Sequence, residues 1–216
     1  SNTWVVATDT TGVGTARSNL AAAWYWWDKA IFGYWYTSGR VSMTNLVSNT
    51  WVVATDTTGV GTARDNLTAA WYWWDKAIFG YWYTSSYVSI TNLVSNTWVV
   101  ASDTTWVGTA RRNLAAAWYW WDKAIFGYWY AGSYVSMTNL VSNTWVVATD
   151  TTGVGTARSN LAAAWYWWDK AIFGYWYTSG RVSMTNLVSN TWVVATDTTG
   201  VGTARDSLAA AWYSTT

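Results

Sequence analysis

The carboxylate of Asp9 and the guanidinium of Arg17 recur as Asp56 and Arg64, Asp103 and Arg111, Asp150 and Arg158, and Asp197 and Arg205. In every copy the two are eight residues apart, with a loop of Thr, Gly and Val between them. Hard cations collect oxygen ligands, so a ring of Asp side chains could gather one. An arginine beside each carboxylate neutralises it, however, and the pattern reads as an ion pair that ties down a loop at the junction between units. No metal site is expected.

Little else in the chain could do chemistry. Histidine, cysteine and glutamate are absent. That removes the commonest general base, thiolate ligands and disulfides. No Ser/His/Asp, Cys/His or Glu/Glu arrangement can be assembled. The glycines at Gly12 and Gly14 lack the Lys-Ser/Thr ending of a phosphate-binding loop and precede no convincing helix. The expectation is a chain with no catalytic residues and no cofactor. A glycosidase on such a scaffold would need an acidic constellation that no unit repeats.

The elements that carry these residues follow from self-similarity. The string Ser-Asn-Thr-Trp-Val-Val begins at Ser1, Ser48, Ser95, Ser142 and Ser189, each 47 residues after the last. One repeat domain over 1–216 follows, with units 1–47, 48–94, 95–141 and 142–188 and a partial fifth at 189–216. A unit of this size cannot bury a core alone, so the units must stack. The chain starts without Met and stops inside a unit, which reads as a piece of a longer array.

Within the first unit, residues 3–9 are short, apolar and β-branched, which is a strand signal. Residues 10–19 form a loop rich in Gly and small polar side chains. Residues 20–25 and 30–36 are further apolar runs, separated by Asp28-Lys29 at a hairpin turn. After a turn at 37–40, residues 41–47 alternate with period two, a pattern weakened at Asn45 and Leu46. A helix through residues 20–32 is the competing reading, since Leu-Ala-Ala-Ala favours helix and Ser18 or Asn19 could cap it. Against it, Trp24, Trp26 and Trp27 would fan round most of the circumference.

Four short strands per unit at this period is the pattern of propeller blades. The unit resembles the kelch repeat: Arg17 precedes a small apolar strand, Asp28-Lys29-Ala30-Ile31-Phe32-Gly33 stands where kelch has its second strand, and Thr50-Trp51 where it has its fourth-strand tryptophan. It is similar to kelch-like repeat blocks of viral and metagenomic surface or tail proteins. The resemblance implies an all-β propeller of four-stranded blades in an extracellular or virion setting. The partial fifth unit implies an open arc, a distorted closure, or self-association that completes the missing blade.

Comparison of the units with one another locates their differences. The position of Ser18 becomes Asp65, Arg112, Ser159 and Asp206, and that of Arg40 becomes Tyr87, Tyr134 and Arg181. Blade topology puts both positions on one rim. Arg40, Tyr87, Tyr134, Arg181, Asp65 and Arg112 are therefore candidate contacts of a multivalent face for a glycan or a protein surface. Loop drift after duplication explains the same scatter without a ligand. With 12 basic and 11 acidic residues spread singly, no nucleic-acid partner is expected. No apolar run reaches the ~20 residues that span a bilayer, so no membrane insertion is expected either.

Tryptophan occurs 23 times against 4 phenylalanines. Trp26-Trp27 precede Asp28 where a hairpin should turn, and Trp106 replaces the glycine found at Gly12, Gly59, Gly153 and Gly200. One base change separates the codons, and some genetic codes read UGA as Gly and others as Trp. Several of these tryptophans therefore read as glycine positions; restoring glycine gives Tyr-Gly-Gly-Asp and Phe-Gly-Tyr-Gly. An aromatic-lined carbohydrate site is the other reading, and Trp4 and its copies suit core or inter-blade packing. The chain as a whole reads as a non-catalytic recognition scaffold, or as a purely structural segment with no ligand.

Overall fold

The computed structural model describes residues 14–18, 20–25, 29–50, 52–59, 61–72, 76–97, 99–104, 108–119, 123–142, 144, 146–166, 170–191, 193–200 and 202–205. Each of the four complete units folds into one antiparallel sheet of three strands in sequence order. The first sheet holds β1 (Ala21–Tyr25), β2 (Lys29–Tyr36) and β3 (Arg40–Val47). The second holds β4 (Thr68–Tyr72), β5 (Lys76–Tyr83) and β6 (Tyr87–Val94). The third holds β7 (Ala115–Tyr119), β8 (Lys123–Tyr130) and β9 (Tyr134–Val141). The fourth holds β10 (Ala162–Tyr166), β11 (Lys170–Tyr177) and β12 (Arg181–Val188). The chain is all-β over the described residues, and where the run at 20–32 is described it lies in β1 and β2 in place of a helix: aromatic and β-branched side chains pack on a pleated surface better than against a helical turn.

The expected four-stranded blade is corrected to three strands and a bridged edge. The segment after β3 runs antiparallel beside it but pairs through isolated bridges, among them Val47 with Val53, Thr44 with Thr57 and Val41 with Arg64. Between the first two of those bridges the edge segment carries one residue more than β3, so the ladder cannot continue. The Asn45 side chain fills the gap, donating to the Ala54 carbonyl at 3.0 Å and the Asp56 carboxylate at 2.8 Å. Asn92, Asn139 and Asn186 do the same in the later sheets. A side-chain amide thus replaces main-chain pairing.

The sheets pack face to face in one direction. In the first pair, Ala21, Ala23, Ile31 and Tyr34 of one sheet meet Leu67, Ala77 and Phe79 of the next in a single buried cluster. The second and third sheets repeat this with Ala70 and Ile78 against Leu114 and Phe126, and the third and fourth with Ile125 and Tyr128 against Leu161 and Phe173. Each unit therefore has two unlike faces. The period-two alternation along β1 and β2 assigns Ala21, Ala23 and Ile31 to one and Ala22, Trp24 and Phe32 to the other.

Two local devices make the close approach possible. The β2–β3 register shifts between Gly33 and Trp35, and Tyr34 at that bulge takes φ of 63°. Tyr128 and Tyr175 adopt φ of 61° in the equivalent place. The bulge seats the Tyr34 ring edge-on to Phe79 at 5.2 Å, and Tyr128 to Phe173 at 5.3 Å. Glycine supplies the other device: a Cβ on Gly80 would lie 2.8 Å from the ring of Phe126, and one on Gly127 would lie 2.8 Å from that of Phe173. Phe126 and Phe173 thus sit on the bare glycine backbone of the sheet before them.

Candidate functional site

The recurring Asp and Arg build a clasp, with partners one unit further apart than their eight-residue spacing suggested. Arg17 meets Asp56 at 3.5 Å, Arg64 meets Asp103 at 3.6 Å, Arg111 meets Asp150 at 3.7 Å and Arg158 meets Asp197 at 3.7 Å. The loop between each Asp and the following Arg leads from the edge of one sheet into the next, so the two residues face different sheets. Asp9 lies outside the described residues.

Each carboxylate accepts several hydrogen bonds. Asp56 accepts the Thr15 hydroxyl at 2.6 Å, the Thr15 N–H at 2.9 Å and the Asn45 amide at 2.8 Å. The Thr15 hydroxyl and N–H, with lesser help from Asn45 and Arg17, pull its pKa down to about 2 against the opposing effect of burial. Burial pushes the Asp103, Asp150 and Asp197 carboxyls upward, but the same set of donors outweighs it and holds each below the usual range. Both oxygens of Asp56 thus accept from protein donors, Oδ2 from Thr15 and Oδ1 from Asn45. Among the described residues, no group of three or more acidic or metal-ligating side chains comes together.

The arginines also join neighbouring sheets. Arg64 is fully buried and lies over the ring of Tyr34, in the preceding sheet, at 4.7 Å. It also donates to the Asn92 side-chain oxygen. Arg158 lies over Tyr128 at 5.0 Å and Arg205 over Tyr175 at 5.3 Å. Burial raises the Tyr34 hydroxyl to a pKa of about 12, with Arg64 opposing and Asp103 adding to the rise. Burial likewise raises Tyr128 to about 12. The clasp is a structural joint whose ionisable groups are consumed in holding strand, edge and neighbour together.

At two junctions the variable positions come together. Ser18, Asp65, Arg112 and Ser159 each bridge to the last residue of the second strand in their own sheet, Tyr36, Tyr83, Tyr130 and Tyr177. Arg40 reaches across to the next unit, donating from Nε to Asp65 at 3.0 Å and covering the Tyr83 ring at 5.2 Å. At the next junction, where Tyr87 takes the place of Arg40, Arg112 takes that of Asp65. Its guanidinium lies 5.6 Å from Tyr87, 5.7 Å from Tyr83 and 5.4 Å from Tyr130. Tyr134 packs on Tyr130 at 5.7 Å and remains exposed, as do Tyr36 and Tyr177. Arg181 opens β12 at the same end of its sheet, and Asp206 lies outside the described residues.

Unit-to-unit comparison missed the second-strand tyrosines because they do not vary, although Tyr36, Tyr83, Tyr130 and Tyr177 supply much of the rim surface. Asn45 was visible only as a defect in the alternation of β3; that defect is the clasp. The tryptophans of the first strands form a line, Trp24 to Trp71 at 5.9 Å, Trp71 to Trp118 at 4.4 Å and Trp118 to Trp165 at 4.5 Å. Trp4, Trp26, Trp27 and Trp106 lie outside the described residues. The glycines equivalent to Trp106 are tightly enclosed: a Cβ on Gly59 would fall 2.2 Å from the Ser42 carbonyl oxygen, and one on Gly200 2.2 Å from that of Ser183. No protein-family model matches the chain, and no curated protein is significantly similar to it.

Proposed function

We propose that this chain is a non-catalytic recognition scaffold, a kelch-like propeller array whose rim holds a glycan or a protein surface. One observation carries the reading: solvent-facing Tyr36, Tyr134 and Tyr177 lie along one rim with Arg40, Tyr87 and Arg112 between them. Tyrosine faces stack on sugar rings and on apolar side chains at low entropic cost, and arginine adds directed donors. Repetition of weak contacts along the rim gives avidity without a deep pocket. A virion, tail or cell-surface setting suits such an array. Packing of first strand against first strand, as in the inner ring of a propeller, supports the blade reading.

The second reading, a structural segment with no ligand, is favoured by a separate observation. Arg40 already spends its Nε donor on Asp65, and Arg112 is enclosed by three tyrosines. A glycan array followed by titration of the full chain separates the two. Saturable, sugar-inhibitable binding that weakens at least tenfold in Tyr36→Ser/Tyr134→Ser supports recognition. Absence of saturable binding to glycans and to surface proteins leaves the structural segment.

A further inference from the structure

The first two junctions between sheets arrange related groups differently. At the first, Arg40 donates to Asp65 at 3.0 Å and lies 5.2 Å from the centroid of the Tyr83 ring, so guanidinium, carboxylate and tyrosine form one closed set. At the second, Tyr87 stands in the place of Arg40 and Arg112 in that of Asp65. The guanidinium is kept, flanked now by Tyr83, Tyr87 and Tyr130 at 5.7, 5.6 and 5.4 Å, and the carboxylate is missing. Among the described residues no acidic side chain pairs with Arg112, and its Nε is buried without a hydrogen-bond partner. Arg17, Arg64, Arg111 and Arg158 each face an aspartate instead.

Rings attract a guanidinium through their faces but accept none of its in-plane donors. Those donors form a planar fork that matches the two oxygens of a carboxylate. Arg112 is half-buried, whereas Arg64, Arg111 and Arg158 are fully buried, so solvent reaches part of the fork. The rings continue beside it: Tyr87 lies 6.1 Å from Tyr130, and Tyr130 lies 5.7 Å from Tyr134, which is 38% exposed. A charged fork thus stands one ring away from an open aromatic side chain.

We propose that Arg112 and Tyr134 bind a carboxylate-bearing sugar, a uronic or sialic acid residue of an acidic glycan. The guanidinium takes from the ligand the carboxylate that Asp65 supplies at the first junction, and Tyr134 takes a face of the sugar ring. The assignment rests on the recognition reading of the rim given above and names its ligand class. A sugar fits better than an acidic peptide because a flat ring beside the charge is the pairing a pyranose carboxylate needs.

The full chain is screened on an array of oligouronates, sialylated oligosaccharides and neutral oligosaccharides. The tightest carboxylated glycan is then titrated by calorimetry as the free acid and as its methyl ester, which keeps the ring and removes the charge. The free acid should bind about tenfold more tightly than the ester, the usual weight of a charge-assisted hydrogen bond. Arg112→Gln should erase that difference. Tyr87→Arg/Arg112→Asp, which copies the Arg40–Asp65 pair into the second junction, should abolish binding with an unchanged far-ultraviolet spectrum. Tyr134→Ser should weaken acid and ester alike. Equal binding of acid and ester overturns the proposal, as does an acid preference that survives Arg112→Gln. A hexaglutamate peptide that binds as tightly as the acidic glycan overturns the sugar assignment. Saturable binding confined to neutral glycans or to surface proteins overturns the proposal and leaves the recognition reading standing, whereas absence of all saturable binding overturns both.

Discussion

Arg64 and Asp103 come from consecutive units and are held 3.6 Å apart, the arginine fully buried and the aspartate about a quarter exposed. The same geometry recurs at Arg17 with Asp56, Arg111 with Asp150 and Arg158 with Asp197. A charge in this position is tolerated because carbonyl and carboxylate oxygens surround it: Arg111, for example, donates to the Met137 carbonyl at 2.9 Å and to that of Thr109 at 3.2 Å. The joint fixes the loop, the third strand and the edge segment with one set of side chains.

Removal of a single arginine should therefore be severe. Arg111→Met takes the donors from the Met137 and Thr109 carbonyls and the counter-charge from Asp150, and should lower stability by about 3 kcal/mol. Urea denaturation with a fixed slope gives the number; a loss under about 0.5 kcal/mol, within the range of ordinary surface substitutions, would show that the joint is dispensable.

Acid should undo the array through the same aspartates. The folded pKa of Asp56 is about 2, below the ordinary carboxyl value of 3.8. A depressed folded pKa means stability that is complete above the unfolded value and lost as pH falls through the folded one. Unfolding should begin below about pH 4 and be largely complete near pH 2. At the alkaline side, Tyr34 and Tyr128 are raised to about 12 from 10.0, so stability should fall as pH climbs from 10 to 12. Circular dichroism across both ranges tests this, and the Asp56→Asn variant should show a shallower acid limb.

Position along the stack should grade the cost of losing a phenylalanine. Phe126 is fully buried between the bare backbone of Gly80 and its own sheet, so Phe126→Ala should cost about 4 kcal/mol. Phe32→Ala, at a half-buried site, should cost about 1–2 kcal/mol. Equal losses at the two sites would contradict the one-directional packing.

Trp106 stands where Gly59, Gly153 and Gly200 press against the serine of the adjacent strand. In those glycine copies a Cβ would collide with the serine, so Trp106→Gly should raise stability by about 1–3 kcal/mol, the usual range for relief of overpacking. Thermal melting checks it, and the converse Gly153→Trp should lower the midpoint. The source gene decides the origin: UGA under Trp26, Trp27 and Trp106 agrees with a glycine read as tryptophan, and UGG would dispose of that explanation.

The variable rim residues should prove coupled in pairs. A double-mutant cycle on Arg40→Ala and Asp65→Ala should give a coupling of about 0.5–1 kcal/mol, since both groups are partly exposed. Additive losses would mean that the two positions vary independently and are free to serve a ligand.

Much of the fold was written in the repeat. The strands at 20–25, 30–36 and 41–47 were readable because β-branched and aromatic residues alternate between punctuating Asp, Ser and Gly, and such local preference needs no knowledge of neighbours. Placement of Ser18 and Arg40 on one rim followed from the connectivity of an antiparallel meander. The sequence by itself therefore determined an all-β stack of near-identical units, and with it the absence of any His, Cys or Glu chemistry.

Partner choice was decided only in three dimensions. The eight-residue interval from Asp9 to Arg17 and its copies suggested a local pair, yet Arg17 reaches Asp56. A loop that crosses between sheets separates residues close in sequence and joins residues a unit apart. The reduction of a fourth strand to a bridged edge depended on one extra residue opposite Asn45, and backbone register is invisible until both strands are placed. The unlike faces of each sheet arose in the same way, because burial of Phe79 on Tyr34 requires the bulge that gives Tyr34 its positive φ. Local sequence sets which side chains alternate; long-range packing sets what each of them meets.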